Sequence, residues 1–326
     1  MNKNKSFYNK FLNKQIVITF LIVLLAGSLF AEKTELSMLL WSRYTLAKDS
    51  EADSLLENGF ALKRGYLTIK QTFTEKISGR FTTDICSSDE DDDAAGAGLK
   101  VKYAYLDFAD LVPFGRNNLQ FGLLKNYFGG SPDYKGIIVD PAFVVQERII
   151  PSVDYGVLFT GSKSIFKYTL QVMNSEGYKF SGTNVDTKPA FIGDLRINPA
   201  KFITFGTSYL SKNEFDALSI LTDLKFWKFD TRIEFVQKMI DSEKESGYSI
   251  TPALSLNKIQ LTGRYDSWEK DHSRVVAGVN WDIHKKDKNL VQLQMNLERE
   301  FDETNDTHKD YFYLQCVWMF AKVLGV

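Results

Sequence analysis

The sequence predicts an all-β fold, a closed antiparallel transmembrane β-barrel of about 16 strands with short periplasmic turns and longer extracellular loops. Three observations predict it: an N-terminal export segment, runs of alternating apolar and polar residues, and connections that alternate between tight and long. No stretch beyond the export segment reaches the ~18 consecutive apolar residues that would mark a spanning helix.

The export segment comes first. Lys3, Lys5, Lys10 and Lys14 precede the apolar run from Ile16 to Ala26, and Gly27, Ser28 and Ala31 follow as small residues. That is the layout of a secretory signal peptide, expected to be removed after Ala31. Its apolar core is shorter than the about 20 residues a membrane-spanning helix needs. Without residues 1–31, Lys+Arg falls from 40 to 36 against 41 Asp+Glu, a net charge of −5. A mildly acidic chain with no basic block offers no footprint for nucleic acid. No Pro/Ser-rich linker divides residues 32–326, so a single architecture is expected there.

The strands follow in order. After 34–46, the strand 60–73 sets Gly65, Leu67, Ile69 and Phe73 against Arg64, Thr68, Lys70 and Thr72. A tight turn at Thr74–Glu75 leads to 77–87, then 99–111 and 118–127. The strands 151–161 and 166–174 flank the turn Gly161–Ile165. In 189–197, Phe191, Leu195 and Ile197 oppose Asp194, Arg196 and Asn198, and Asn198–Lys201 turns into 202–211. Phe226–Lys228 joins 216–225 to 229–240, and Asn257–Lys258 joins 247–255 to 259–267. In the latter, Ile259, Leu261, Gly263 and Tyr265 alternate with Gln260, Thr262, Arg264 and Asp266. His284–Lys288 separates 274–283 from 290–301, where Val291, Leu293, Met295 and Leu297 alternate with Gln292, Gln294, Asn296 and Glu298. The last strand is 309–320. A period of two gives each strand one apolar and one wet face. An even number of strands allows closure, which removes the unpaired edges that lipid penalises.

The other set of connections is long: 47–59, 88–98, 128–150 and 175–188. The longest, 128–150, is a candidate constriction loop, because loops beyond ~15 residues without their own structure are usually functional or disordered. Tyr103, Phe108, Tyr127, Phe128, Tyr209, Phe226, Trp227, Trp268, Trp281, Tyr311 and Phe320 fall near strand ends, where interfacial girdles are expected.

Two segments bracketing that loop carry a family resemblance. Gly122-Leu-Leu-Lys125-Asn-Tyr-Phe128-Gly129 enters it; Glu147-Arg148-Ile-Ile-Pro151-Ser152, continuing to Asp154-Tyr-Gly156-Val157 and Gly161, leaves it. Both resemble the phosphate-selective porin O and P family of Gram-negative outer membranes. Arg64-Gly-Tyr66-Leu67-Thr68-Ile69-Lys70, Gly247-Tyr248 with Arg264-Tyr265-Asp266, and Gly278-Val279-Asn280-Trp281 add weaker similarity over about residues 60 to 300. The resemblance implies an outer-membrane porin passing small hydrophilic solutes or ions, with anions as candidate cargo and a homotrimer as the assembly. The alternative is a structural or adhesive barrel without an open channel. Two features depart from that pattern. Phe320 is followed by Ala321-Lys-Val-Leu-Gly-Val326, which displaces the usual terminal aromatic. The outer connections are acidic, with Asp49, Glu51, Asp53, Glu57, the run Asp89–Asp93, Asp241, Glu243 and Glu245.

If apolar positions face lipid, Arg64, Lys70, Arg80, Arg196, Arg232 and Arg264 face the lumen, joined by Lys125 and Arg148 at the ends of the long loop. These eight are the candidate pore-lining residues. Asp84, Asp107, Asp194, Glu234, Asp266, Asp282 and Glu298 share their face and are available for cross-strand pairing. No catalytic residue is expected. His272, His284 and His308 fall in or beside connections, without zinc-ligand spacing, and no Gly-x-Ser-x-Gly element occurs. The Asp89–Asp93 run lacks the Gly and distal Glu of a calcium loop, and Gly-rich phosphate cradles are missing, so neither metal nor cofactor is expected. The two cysteines, Cys86 and Cys316, fall on the third and sixteenth strands and are expected to stay unpaired.

Overall fold

Alternating residues with one apolar face cannot bury that face in a single open sheet, and closing the sheet on itself satisfies every strand edge. The computed structural model describes residues 31–51, 54–86, 98–133, 136, 138–139, 141–178, 188–241, 243–269 and 272–325. It contains one closed barrel in which every strand is hydrogen-bonded to its two neighbours in sequence and the last to the first.

The strands are β1 (Lys33–Asp49), β2 (Ser54–Thr74), β3 (Ile77–Cys86), β4 (Gly98–Ala109), β5 (Arg116–Lys125) and β6 (Val153–Lys163). They continue as β7 (Phe166–Met173), β8 (Ala190–Ala200), β9 (Ile203–Ser211), β10 (Asp216–Phe226) and β11 (Phe229–Ile240). The rest are β12 (Glu243–Leu256), β13 (Ile259–Trp268), β14 (His272–Lys286), β15 (Asn289–Asp302) and β16 (Thr307–Gly325). Sixteen antiparallel strands stand where the alternation places them, most with ends within three residues of the expected ones. Two are longer. β2 begins at Ser54 because it pairs with β1 as far as Asp49↔Ser54. β16 runs beyond Phe320 because the first residues of β1 need partners, supplied from Met38↔Phe320 to Lys33↔Gly325. The residues after Phe320 are therefore mostly strand, not a tail.

Tight turns close one end of the barrel, as in Glu75–Lys76 and Asn257–Lys258. A two-residue hairpin needs positive φ, and Ser164 (56°), Trp227 (55°), Asn257 (54°) and Asp287 (53°) supply it. Trp227 is 80 % exposed at that rim beside the exposed Phe226, where an interfacial aromatic would sit. The Asp89–Asp93 run lies outside the described residues.

The faces are inverted relative to a water-soluble barrel. Phe121, Leu170, Ile220 and Leu297 are exposed on the outside. Thr82, Ser219, Asn296 and Gln315 are buried on the inside. Thr68 and Thr82 share a hydroxyl hydrogen bond of 2.9 Å across β2 and β3, and Gln315 donates to Gln294 at 2.7 Å across β15 and β16. Among the described residues no helix is long and apolar enough to cross a membrane.

At least four expected girdle residues are not on the outside: Trp268 packs against the apolar cluster inside the barrel, Tyr311 shares the inward parity of the buried Gln315, and Phe128 and Tyr103 join them. Phe128 is fully buried in an apolar cluster inside the barrel. Tyr103 lies under the Arg80 guanidinium, 4.1 Å from ring centroid to Cζ, on the inward face. Proximity to a strand end does not separate the two faces at these positions.

Candidate functional site

The segment between β5 and β6, residues 126–152, is the only described connection with helical turns: a 3-10 turn at Ser131–Asp133 and the short helix α1 (Phe143–Gln146). Its base is fastened by Asn126, whose amide donates to the Ser152 carbonyl at 3.2 Å and whose Nδ2 donates to the Pro151 carbonyl at 2.6 Å. Gln171 of β7 accepts from the Tyr127 amide at 3.1 Å and donates to Asn126 Oδ1 at 2.9 Å.

From that base the segment runs against strands far from its own. Buried backbone groups need partners, and inward side chains provide them. The Gly129 amide donates to Ser208 Oγ of β9 at 3.1 Å, and the Gly130 amide to Glu234 Oε1 of β11 at 2.7 Å. Arg196 of β8 donates to the Gly129 carbonyl at 2.6 Å, and Arg232 of β11 to the Gly130 carbonyl at 2.9 Å. Further on, Gln294 of β15 donates to the Gly136 carbonyl at 3.0 Å, and Asn296 accepts from the Val139 amide at 2.8 Å. Arg43 of β1 donates to the Val139 carbonyl at 3.2 Å. On the way back Arg264 of β13 donates to the Pro141 carbonyl at 2.6 Å.

Gly129 shows why glycine is required. Its φ is +56°, and a Cβ there would overlap Glu234 Oε1 and come within 2.9 Å of Val144 Cγ1. The backbone is pressed against the wall.

An apolar patch completes the docking. Phe128, Phe143, Val144, Ile149 and Ile150 pack on Met173, Ala190, Ile192, Leu210, Ala217 and Val236, which come from β7 to β11. The Phe143 ring meets Trp268 edge-on at 6.0 Å. Each of these wall side chains occupies an inward position that alternation alone assigns to a polar residue.

The eight candidate cations fall into three groups. Four are ion-paired on the barrel wall: Arg64 with Asp84 (2.6 Å), Arg196 with Asp194 (2.8 Å), Arg232 with Asp223 (2.6 Å) and Arg264 with Asp266 (2.8 Å). The last three also hold the loop, whereas Arg64 adds a 3.4 Å bond to the Tyr178 hydroxyl. Lys125 donates to the Pro132 carbonyl inside the loop. Arg148 is exposed at the loop's return, with φ of 54°. Lys70 and Arg80 face one another across β2 and β3.

Arg274, like Arg43 and Lys102, is an inward cation that the residue pattern leaves unnoticed. It is fully buried, bonded to Asp266 and within 3.7–3.8 Å of Glu147, Glu298 and Glu300. Its inward parity with Asn280 and Asp282 is the available signal. Burial pushes the Glu147 carboxyl above its ordinary pKa, and Arg274 works against that shift. Tyr178, from the β7–β8 connection, is also missed by the pattern; its ring lies 4.1 Å from Lys102 Nζ and its hydroxyl 3.2 Å from Asp84.

His272 and His308 stand at one end of the barrel and His284 at the other, as the strand order dictates. Among the described residues no group of three or more His, Cys, Asp or Glu is arranged to hold a metal ion.

No family model matches the sequence. No curated protein matches it. Solved structures do match in fold. The chain is similar to the outer membrane channel DcaP of Acinetobacter baumannii, at 10% identity and TM-score 0.60 over 88% of this chain and 96% of that one. It is similar to an anion-selective porin from Comamonas acidovorans, at 9% identity and TM-score 0.62 over 88% and 99%. It is also similar to OmpT, an outer membrane protein of Vibrio cholerae solved in a trimer form, at 8% identity and TM-score 0.58 over 88% and 99%. The chain thus shares its barrel fold with outer-membrane channels.

Proposed function

We propose that this chain is a porin of the outer membrane of a Gram-negative-type bacterium, passing small hydrophilic solutes or ions by diffusion. The observation that carries the reading is the inverted barrel: lipid-compatible outside, polar over most of the inside, closed without an edge, and entered by the long segment between β5 and β6. In this reading residues 1–31 are a cleaved signal peptide, and residues 128–150 narrow the lumen. The eight cations Arg64, Lys70, Arg80, Lys125, Arg148, Arg196, Arg232 and Arg264 line or border the path. Such a channel needs no cofactor and performs no catalysis.

Anions are the proposed cargo, supported by the anion selectivity of the Comamonas porin and by the inward arginines. Kinship with the phosphate-selective O and P family is supported by the motifs at the end of β5 and the start of β6, which flank the docked segment. A homotrimer is supported by the trimer form of the Vibrio protein. A single monomeric mass in mild detergent would count against it.

The test is single-channel recording of refolded protein in planar bilayers. A porin gives stepwise conductance; a silent bilayer containing folded barrel supports the structural or adhesive reading instead.

A further inference from the structure

Lys70 and Arg80 are directly opposed on β2 and β3. Both share the inward face with Thr68 and Thr82, whose hydroxyls touch at 2.9 Å. Like charges directly opposite one another destabilise an antiparallel pair. Four other lumen arginines have a carboxylate within 2.8 Å. Among the described residues, neither Lys70 nor Arg80 has one within ion-pairing distance.

The two carboxylates nearby are bonded to other groups, Glu35 to a cation and Asp107 to neutral amides, so of the two only Glu35 is neutralised. Glu35 is held by Lys288 at 2.6 Å. Asp107 accepts from Asn118 at 2.6 Å and Gln120 at 2.8 Å. Arg80 is fixed in place by its Nε bond to Thr82 at 3.1 Å and by the Tyr103 ring 4.1 Å away, which leaves both Nη groups available. Lys33, Lys70 and Arg80, together with Glu35, Asp107 and Tyr105, bound a cavity of about 260 Å³ on the inner wall. It lies toward the end closed by the Glu75–Lys76 turn. Along β1 it is eight residues from Arg43, where the docked loop is held, or roughly 27 Å at about 3.4 Å per residue.

We propose that Lys70 and Arg80, assisted by Lys33, form an anion station on the β1–β4 wall that sets the charge preference of the pore. The arginines under the loop do not set it. Arg196, Arg232 and Arg264 are neutralised by Asp194, Asp223 and Asp266, and each commits a donor to a loop carbonyl. The station takes small anions such as halides, oxyanions and short carboxylates, with guanidinium Nη groups and an ammonium as donors. This inference rests on the pore reading above.

The experiment compares wild type, K70Q/R80Q, K70R/R80K and R148Q by reversal potential in a KCl gradient at low ionic strength. Two unit charges about 5 Å from a hydrated ion in a high-dielectric path change its occupancy on the order of tenfold. K70Q/R80Q should therefore lower the chloride-to-potassium permeability ratio by roughly that factor, and K70R/R80K should keep it. Screening at ~1 M salt should erase the difference. Removing a like-charge pair relieves repulsion, so the variant is expected to fold, with heat-dependent gel mobility as the check. A conducting K70Q/R80Q protein with wild-type reversal potential overturns the station, as does an equal or larger shift from R148Q. A wild type that never conducts overturns the pore reading itself, which is a different result.

Discussion

Replacing Gly129 with alanine attacks the loop where its backbone meets the wall. The left-handed conformation at φ +56° costs an alanine about 1–2 kcal/mol. The added Cβ collides with Glu234 Oε1, so either the carboxylate or the backbone must retreat. Retreat breaks the Gly130 amide bond to Glu234 and the Arg196 bond to the Gly129 carbonyl. Hydrogen bonds to charged groups are worth about 1.5–3 kcal/mol each. At the low end the perturbation amounts to about 4 kcal/mol, near a thousandfold in the ratio of docked to released loop. The strand ladder does not depend on these contacts, so the barrel itself should survive. Single-channel recording should find a larger and noisier conductance, and trypsin should cut at Arg148 faster than in wild type. A correctly folded G129A protein with wild-type conductance, noise and cleavage rate would refute the claim that the wall contacts hold the loop in place.

Two further outcomes follow from the same geometry. The pKa of Glu147 is raised in the docked loop, so its charged form opposes docking above that pKa and the opposition fades as pH falls through it toward the free carboxylate value. Relative to wild type at neutral pH, E147Q should protect Arg148 from trypsin, and that advantage should shrink as pH falls toward ~4.5; an equal advantage at both pH values would sink the assignment. Cys316 is exposed on β16, while Cys86 belongs to β3, three strand spacings away by way of β1 and β2. At about 4.8 Å each that is roughly 14 Å, against about 7 Å tolerated by a disulfide. Thiol titration of the denatured, non-reduced protein should find two free thiols, and an intramolecular bridge would contradict the strand order.

The barrel is legible because a period of two is set by backbone geometry alone and the environment on each face is nearly uniform over most of the wall. Val291 to Leu297 against Gln292 to Glu298 is the plainest case, and β15 alternates buried and exposed positions in that phase from Gln294 to Leu297. The rule fails where the lumen is not wet. Ile192, Leu210 and Val236 point inward yet are apolar because the loop covers them. Phe128 reads as interfacial for the same reason: a residue near a strand end carries no mark of whether lipid or a folded loop awaits it. Ion pairs are half legible. Asp84, Asp194 and Asp266 are recognisable as partners, but Asp223 joins Arg232 only through the register of β10 and β11. Arg274 escapes notice because it stands near the start of its strand, where parity has few neighbours to declare itself.

The apolar cluster inside the lumen also imposes an order of events. Its wall side chains come from five consecutive strands, and its loop side chains reach them only across the enclosed space. The whole of it requires β7 to β11 in register, so most of its burial is gained only once that stretch of wall is paired. The calibre of the channel is therefore a late acquisition. The wall is assembled first, and the aperture is set afterwards by a piece of chain that waits for a surface to lie on.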